Sequence, residues 1–284
     1  MQSKQKQPGV GRVLFTLLLL IILGQTGYTQ MASTSLLQNI EGRDRVTLDG
    51  LWQIIIDPLE NGYYNHRYQP LDNGFFKNAK MQSPSDLIEY DFDTDMELMV
   101  PGDWNTQSDK LYYYEGTVWY KRSFDFEARE NQRTYVYFEA INYEALVYLN
   151  GEFVGKHIGG YTPFQFDVTD LLKEKDNYLV VKVDNKRKRE GVPTVNTDWW
   201  NYGGITRSVH LINVPQKHIF DYSVQLSNED AEQIQGYVSL LGAKAGDQVT
   251  VAIPELKKTE KIKVDENGLV QFEFRARPEL WSPD

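Results

Sequence analysis

"ALVYLNGEFVGKH", residues 145–157, decides how the rest of the chain is read. Two runs of strand formers flank Asn150-Gly151. That dipeptide supplies the two positive-φ residues of a type I′ turn, whose twist matches that of the antiparallel strands it joins. The stretch is therefore a β-hairpin. Working outward, residues 134–140 ("TYVYFEA") are again rich in β formers, and residues 117–126 ("TVWYKRSFDF") place Tyr120, Phe124 and Phe126 on one face. Residues 50–57 ("GLWQIIID") alternate Trp52, Ile54 and Ile56. Downstream, "YLVVKVDN" (178–185) and "RSVHLINV" (207–214) continue the series, with Arg207 opening the last strand.

No stretch sustains a helical period; "TDLLKEK" (169–175) fits one turn of helix. A parallel α/β fold needs crossover helices, and none is visible. Short strands joined by turn signals read as an all-β sandwich. Two long connections interrupt it, residues 58–100 with the turns "ENGYY", "LDNGFF" and "SPSD", and residues 186–204. Long loops on a rigid sandwich are where binding concentrates. A boundary falls near Pro215. Beyond it, "HIFDYSVQLS", "QGYVSLLG", "QVTVAIPE", "EKIKVDENG" and "LVQFEFRA" are short strands of a second, immunoglobulin-like sandwich. Five candidates are few for a sandwich of about seven strands, so the second domain is expected to be incomplete.

The N-terminus has its own logic. Lys4, Lys6 and Arg12 precede the apolar run 13–23, which is short for a membrane span and right for the core of a signal peptide. Residues 1–30 are therefore expected to direct export to the periplasm or the outside of the cell, in preference to anchoring the chain. Net charge is −10, which disfavours nucleic acid. The one basic run, "KRKR" at 186–189, reads as a solvated loop before a phosphate site. With no cysteine, thiolate chemistry, disulfides and cysteine zinc sites are excluded. His66, His157, His210 and His218 form no ligand-spaced pair, so neither metal nor cofactor is expected.

As a set, "IIIDPLENGYY", "VPGDWN", "LYYYEGTVWYKRSF", "VYLNGEFVGKHIGGYTPFQFDVTDLL", "DWWNYGGITRSVHL" and "LWSPD" resemble glycoside hydrolase family 2, most of all its bacterial β-glucuronidases and related β-galactosidases. The resemblance covers nearly all of the chain after the signal segment and keeps the motif order. It implies a jelly-roll, galactose-binding-like sandwich over residues 31–215 and a truncated immunoglobulin-like sandwich over 216–284. The third domain of the family is a barrel of about 250 residues, for which no sequence remains. Retaining glycoside hydrolysis needs two carboxylates about 5 Å apart, and in the family both lie on the barrel. The single Asn-Glu dipeptide here, Asn228-Glu229, sits in a polar turn and reads as coincidence, so no catalytic residue is assigned.

The resemblance places one site residue in this chain. The loop matching "DWWNYGGITR" reaches the mouth of the barrel, and its aspartate, here Asp198, contacts the sugar; the competing reading is a loop-capping carboxylate. Trp199, Trp200, Asn201 and Tyr202 support that loop, with the tryptophans favoured for packing under the loop or at a domain interface over stacking on sugar. Arg207 favours a structural ion pair. Tyr112, Tyr113, Tyr114 and Glu115 either pack or shape the rim, with packing favoured. The partners implied are a terminal β-linked sugar and the missing barrel of the same polypeptide, and the resemblance admits a homo-oligomer. The function expected is the non-catalytic N-terminal region of an exported β-glycosidase acting on β-glucuronides first and β-galactosides second. A free-standing carbohydrate-binding protein is the alternative.

Overall fold

The structure is a computed structural model and describes residues 35–70, 90–93 and 96–281. Residues 1–34, which include the expected signal segment, the turns "LDNGFF" and "SPSD" and the last three residues lie outside the described residues. Among the described residues fifteen strands follow in chain order. They are β1 (Asp44–Thr47), β2 (Gly50–Ile56), β3 (Glu97–Val100), β4 (Thr117–Phe124), β5 (Gln132–Phe138), β6 (Glu144–Leu149), β7 (Glu152–Ile158), β8 (Phe164–Asp167), β9 (Asn177–Asp184) and β10 (Val209–Pro215) in the first sandwich. The second holds β11 (His218–Leu226), β12 (Gln233–Leu241), β13 (Gln248–Ile253), β14 (Lys258–Lys263) and β15 (Leu269–Arg275).

The first ten form a jelly-roll sandwich. One sheet runs β3-β2-β4-β9-β6-β7 and the other β1-β10-β5-β8, antiparallel throughout. The β6–β7 hairpin turns through Asn150 and Gly151 at φ 53° and 90°, as the Asn-Gly dipeptide dictates. Leu149 and Tyr148 pair with Glu152 and Phe153, and the register then slips by one residue before Val147 meets Gly155. Between the sheets lie Trp52, Ile54, Tyr120, Val136, Phe138, Val147, Phe164, Val181 and Leu211, and Ile56, Phe124 and Phe126 pack against the same core. The alternation in β2 and β4 thus points where the sequence puts it.

The larger sheet is also buried on its outer face. Ile55, Trp119, Leu146, Tyr148 and Val180 lie under Tyr63, Tyr90 and Phe92. The connection after β2 is therefore a cover, and not only a polar loop. Asp57, fully buried, fastens its start by accepting from the Asn61 and Gly62 N–H groups and from the Trp119 indole, each at 2.9–3.0 Å. Three strands lie outside the sequence reading: β1, β3 and β8. Each is four residues long and each ends a sheet. A short strand paired on one side carries too little alternation to be seen. "VPGDWN" closes in a single α-helical turn, Trp104–Gln107, capped by the Asp103 carboxylate on the Thr106 N–H. "TDLLKEK" gives a 3₁₀ turn at Thr169–Leu171.

The second sandwich is immunoglobulin-like and smaller. A β11-β12-β15 sheet faces a β13-β14 ribbon over Ile234, Val238, Val249, Val270, Phe272 and Phe274. It is seated on the first sandwich through His218 and Phe220, which meet Tyr135 and the segment around Leu37. The Gln38 N–H donates to the Phe220 carbonyl, and the Arg43 guanidinium donates to that of Ile219.

Candidate functional site

Residues 185–208 leave β9, cross one end of the first sandwich and re-enter at β10. A set of buried asparagines fixes the return of this loop. Asn201, 4% exposed, accepts from the Asn142 amide at 3.0 Å and donates to the Asn185 carbonyl. Asn185 reciprocates by donating to the Asn201 carbonyl at 2.9 Å, and its own amide oxygen holds the Gly116 N–H at 2.8 Å. Asn105 accepts the Gly203 N–H at 3.0 Å, while the Gly203 carbonyl takes the Trp104 N–H at 2.9 Å. Apart from the Asn142 oxygen, which is buried without a partner among the described residues, every amide group of the four is thereby used, and that keeps polar groups tolerable in a core. A Cβ on Gly203 would fall 2.1 Å from the Trp104 ring, so the close approach requires glycine. Gly204, at φ 135°, bridges to Asn142.

The outgoing half of the loop is tied by the basic run. Arg187 pairs with Glu115 at 3.0 Å and donates to the Thr197 hydroxyl and to the Thr197 and Trp199 carbonyls. Lys186 meets Glu60, and Lys188 meets Glu144 and Asp184. "KRKR" is therefore not a solvated run. Three of its four cations are half-buried struts: Lys186 to the covering segment at Glu60, Arg187 to Glu115 beside the tyrosines and Lys188 to the sheet at Glu144, and these three carboxylates lie dozens of residues away in sequence.

Between these anchors stands Asp198. Its carboxylate is exposed, and it has no hydrogen-bond or ion-pair partner among the described residues, so it caps nothing. It borders an open depression of about 690 Å³ lined by residues 192–199, including Val192, Thr194, Asn196 and Trp199. Trp199, Trp200 and Tyr202 are 55%, 37% and 45% exposed, which rules out packing beneath the loop. The residue that packs there is Asn201. The Trp200 ring leans on Tyr112 and Tyr113 at 5.1 and 5.5 Å and lies 6.2 Å from Tyr202, making an aromatic shelf beside Asp198. Tyr114 instead turns inward, its hydroxyl on the Thr117 carbonyl, and burial pushes its pKa far up.

Other sequence candidates lie elsewhere. Arg207 precedes β10, which starts at Val209; it is exposed and makes no ion pair among the described residues. Glu229 lies in the exposed turn between β11 and β12. His157 stacks on Phe164 at 4.1 Å, and its burial lowers its pKa; His210 bonds Glu139. Asn105, Asn142, Asn185 and Arg187 were not foreseen as part of this site. The only signal they gave was position, each beside a turn or a strand end.

Residues 47–215 match the family described as glycosyl hydrolases family 2, sugar binding domain. A β-galactosidase of Thermoanaerobacter pseudethanolicus is 34% identical over 224 residues, covering 70% of this chain and 29% of that protein. A β-glucuronidase of Rattus norvegicus is 26% identical over 271 residues, covering 85% of this chain and 39% of that one. The solved structure of Bifidobacterium dentium β-glucuronidase complexed with coumarin-3-O-glucuronide superposes with a TM-score of 0.63 at 25% identity, over 90% of this chain and 44% of that chain. The chain spans less than half the length of each.

Proposed function

The chain belongs to glycosyl hydrolase family 2, and on that premise we propose that it is the sugar-binding and accessory N-terminal region of an exported β-glycosidase. Terminal β-glucuronides are the first choice of substrate and β-galactosides the second, following the names of the relatives. In this reading residues 31–215 meet the sugar and residues 216–284 form the immunoglobulin-like spacer. A barrel on the same polypeptide supplies the two carboxylates that retaining hydrolysis requires. The aromatic shelf of Tyr112, Tyr113, Trp200 and Tyr202 lies against that barrel, and the 284-residue chain alone turns over nothing.

The observation that carries the reading is Asp198, an exposed carboxylate without a partner among the described residues, on a loop bolted at both ends. An ionised carboxylate held in place can accept from two sugar hydroxyls, and its charge strengthens both bonds. The experiment is Asp198→Ala in the barrel-bearing polypeptide, assayed with aryl β-glucuronide and β-galactoside, with Tm measured on the same sample. A lower kcat/KM at unchanged Tm supports the reading. Unchanged kcat/KM refutes it.

Export rests on Lys4, Lys6, Arg12 and the apolar run 13–23. Mass spectrometry of protein recovered from the native host should place the mature N-terminus between about residues 24 and 32. An intact Met1 in the cytoplasm would overturn this part.

A further inference from the structure

We propose that Asn105 and Asn201 are positioning residues that lock the Asp198 loop and the Tyr112–Tyr114 segment into one rigid unit, so that the carboxylate and the aromatic shelf keep a fixed spacing. The inference rests on Asp198 being the sugar contact. It adds the device that aims it.

Asn105 is 2% exposed, on the single helical turn after β3. Its amide oxygen takes the Gly203 N–H, and its nitrogen faces three carbonyls, those of Leu111, Tyr112 and Tyr114, at 2.9, 3.2 and 3.1 Å. An amide nitrogen has two hydrogens, so both are engaged by the backbone that carries the shelf tyrosines. One side chain thus joins the loop to the tyrosine segment across nearly a hundred residues of sequence. Asn201 does the same from the other side, tying the loop to Asn142 and Asn185, while Asn185 holds the Gly116 N–H at the end of that segment. The second anchor also runs there. Arg187 binds Glu115 in the segment and Thr197 and Trp199 in the loop, on either side of Asp198. Asp198 therefore stands between two fastenings that share one base. A loop held only to be stable needs fastening to the sheet, which Lys188 supplies at Glu144; this one is fastened in addition to another surface segment that bears exposed rings.

The test is a double-mutant cycle in the barrel-bearing polypeptide, measured well below every variant's Tm. Asn105→Ala is expected to lower kcat/KM by about 10- to 100-fold, the scale of a misplaced contact group. Combined with Asp198→Ala it should cost little beyond Asp198→Ala alone, because both act through the same contact. Hydrogen exchange should show the Gly203 amide released in Asn105→Ala while β4 and β9 stay protected. Fully additive losses, or an unchanged Gly203 amide, overturn the inference. If Asn105→Ala does not fold, Asn201→Ala enters the same cycle, with the loop amides 198–202 as its exchange readout. If Asp198→Ala alone is silent, the sugar reading falls; the exchange data then decide separately whether the two segments are locked.

Discussion

Asp198 is exposed and bonded to nothing among the described residues, which makes its substitution informative. Removing it should leave Tm almost unchanged, since surface changes away from caps and buried pairs cost little. If it holds sugar hydroxyls, each lost charge-assisted bond is worth roughly 1.5–3 kcal/mol. The expected fall in kcat/KM for Asp198→Ala is then about 10- to 150-fold. Asp198→Asn keeps an acceptor without the charge and should lose less. An Asn variant as impaired as the Ala variant would mean that charge, and not hydrogen bonding, is what the site uses.

The covering segment after β2 is held by a buried ion pair. Lys182, on β9, is 4% exposed at its side chain and lies 2.7 Å from Glu60 and 4.9 Å from the centre of the Tyr63 ring. Lys186 adds a second contact to the same carboxylate. Glu60→Ala would leave the Lys182 ammonium buried without its carboxylate, a loss on the order of 3–5 kcal/mol. Burial pushes the Glu60 pKa up, but the bonds and charges of Lys182 and Lys186 outweigh it and hold the group below the usual carboxylate range. Glu144 is lowered in the same way by Lys156 and Lys188. A depressed folded pKa means that the unfolded chain binds more protons in the window between the two values. The stability these groups contribute is whole above about pH 4.3, the unfolded value, and is lost as pH falls through the folded one. Denaturant unfolding at pH 7 and pH 3.5 should therefore show a smaller acid loss in Glu60→Gln than in the parent. Equal losses would mean that the pair does not titrate with folding.

The two sandwiches differ in how much they bury. The first has a core between its sheets and further clusters on both outer faces. The second has one small core, and β11 leaves Tyr222, Val224 and Leu226 on its inward row 47%, 48% and 36% exposed, because the β13-β14 ribbon covers only the other two strands. Few buried contacts mean cheap local opening. Amides of β13 and β14 should exchange faster than those of β6 and β9, read residue by residue on the 284-residue chain. Uniform protection would show that the ribbon is held as firmly as the jelly roll.

What the sequence determined by itself was local. Asn150-Gly151 fixed a hairpin, because two positive-φ residues in succession admit few other turns, and alternation fixed which faces of β2 and β4 point inward. The family was legible in the order of six motifs. Tertiary structure decided what depended on residues far apart. Three edge strands were too short to show a period. "KRKR" looked solvated until folding brought Glu60, Glu115 and Glu144 to it. Trp199 and Trp200 looked like packing residues because indole is costly to expose, yet folding puts Asn201 beneath the loop and leaves the rings outside. Asn201 was legible as loop support, but Asn105, Asn142 and Asn185 were not, and only burial in the fold joined them to it as a clamp. An asparagine's role is set by which backbone groups it can satisfy, and those groups come from segments that meet only in the folded chain.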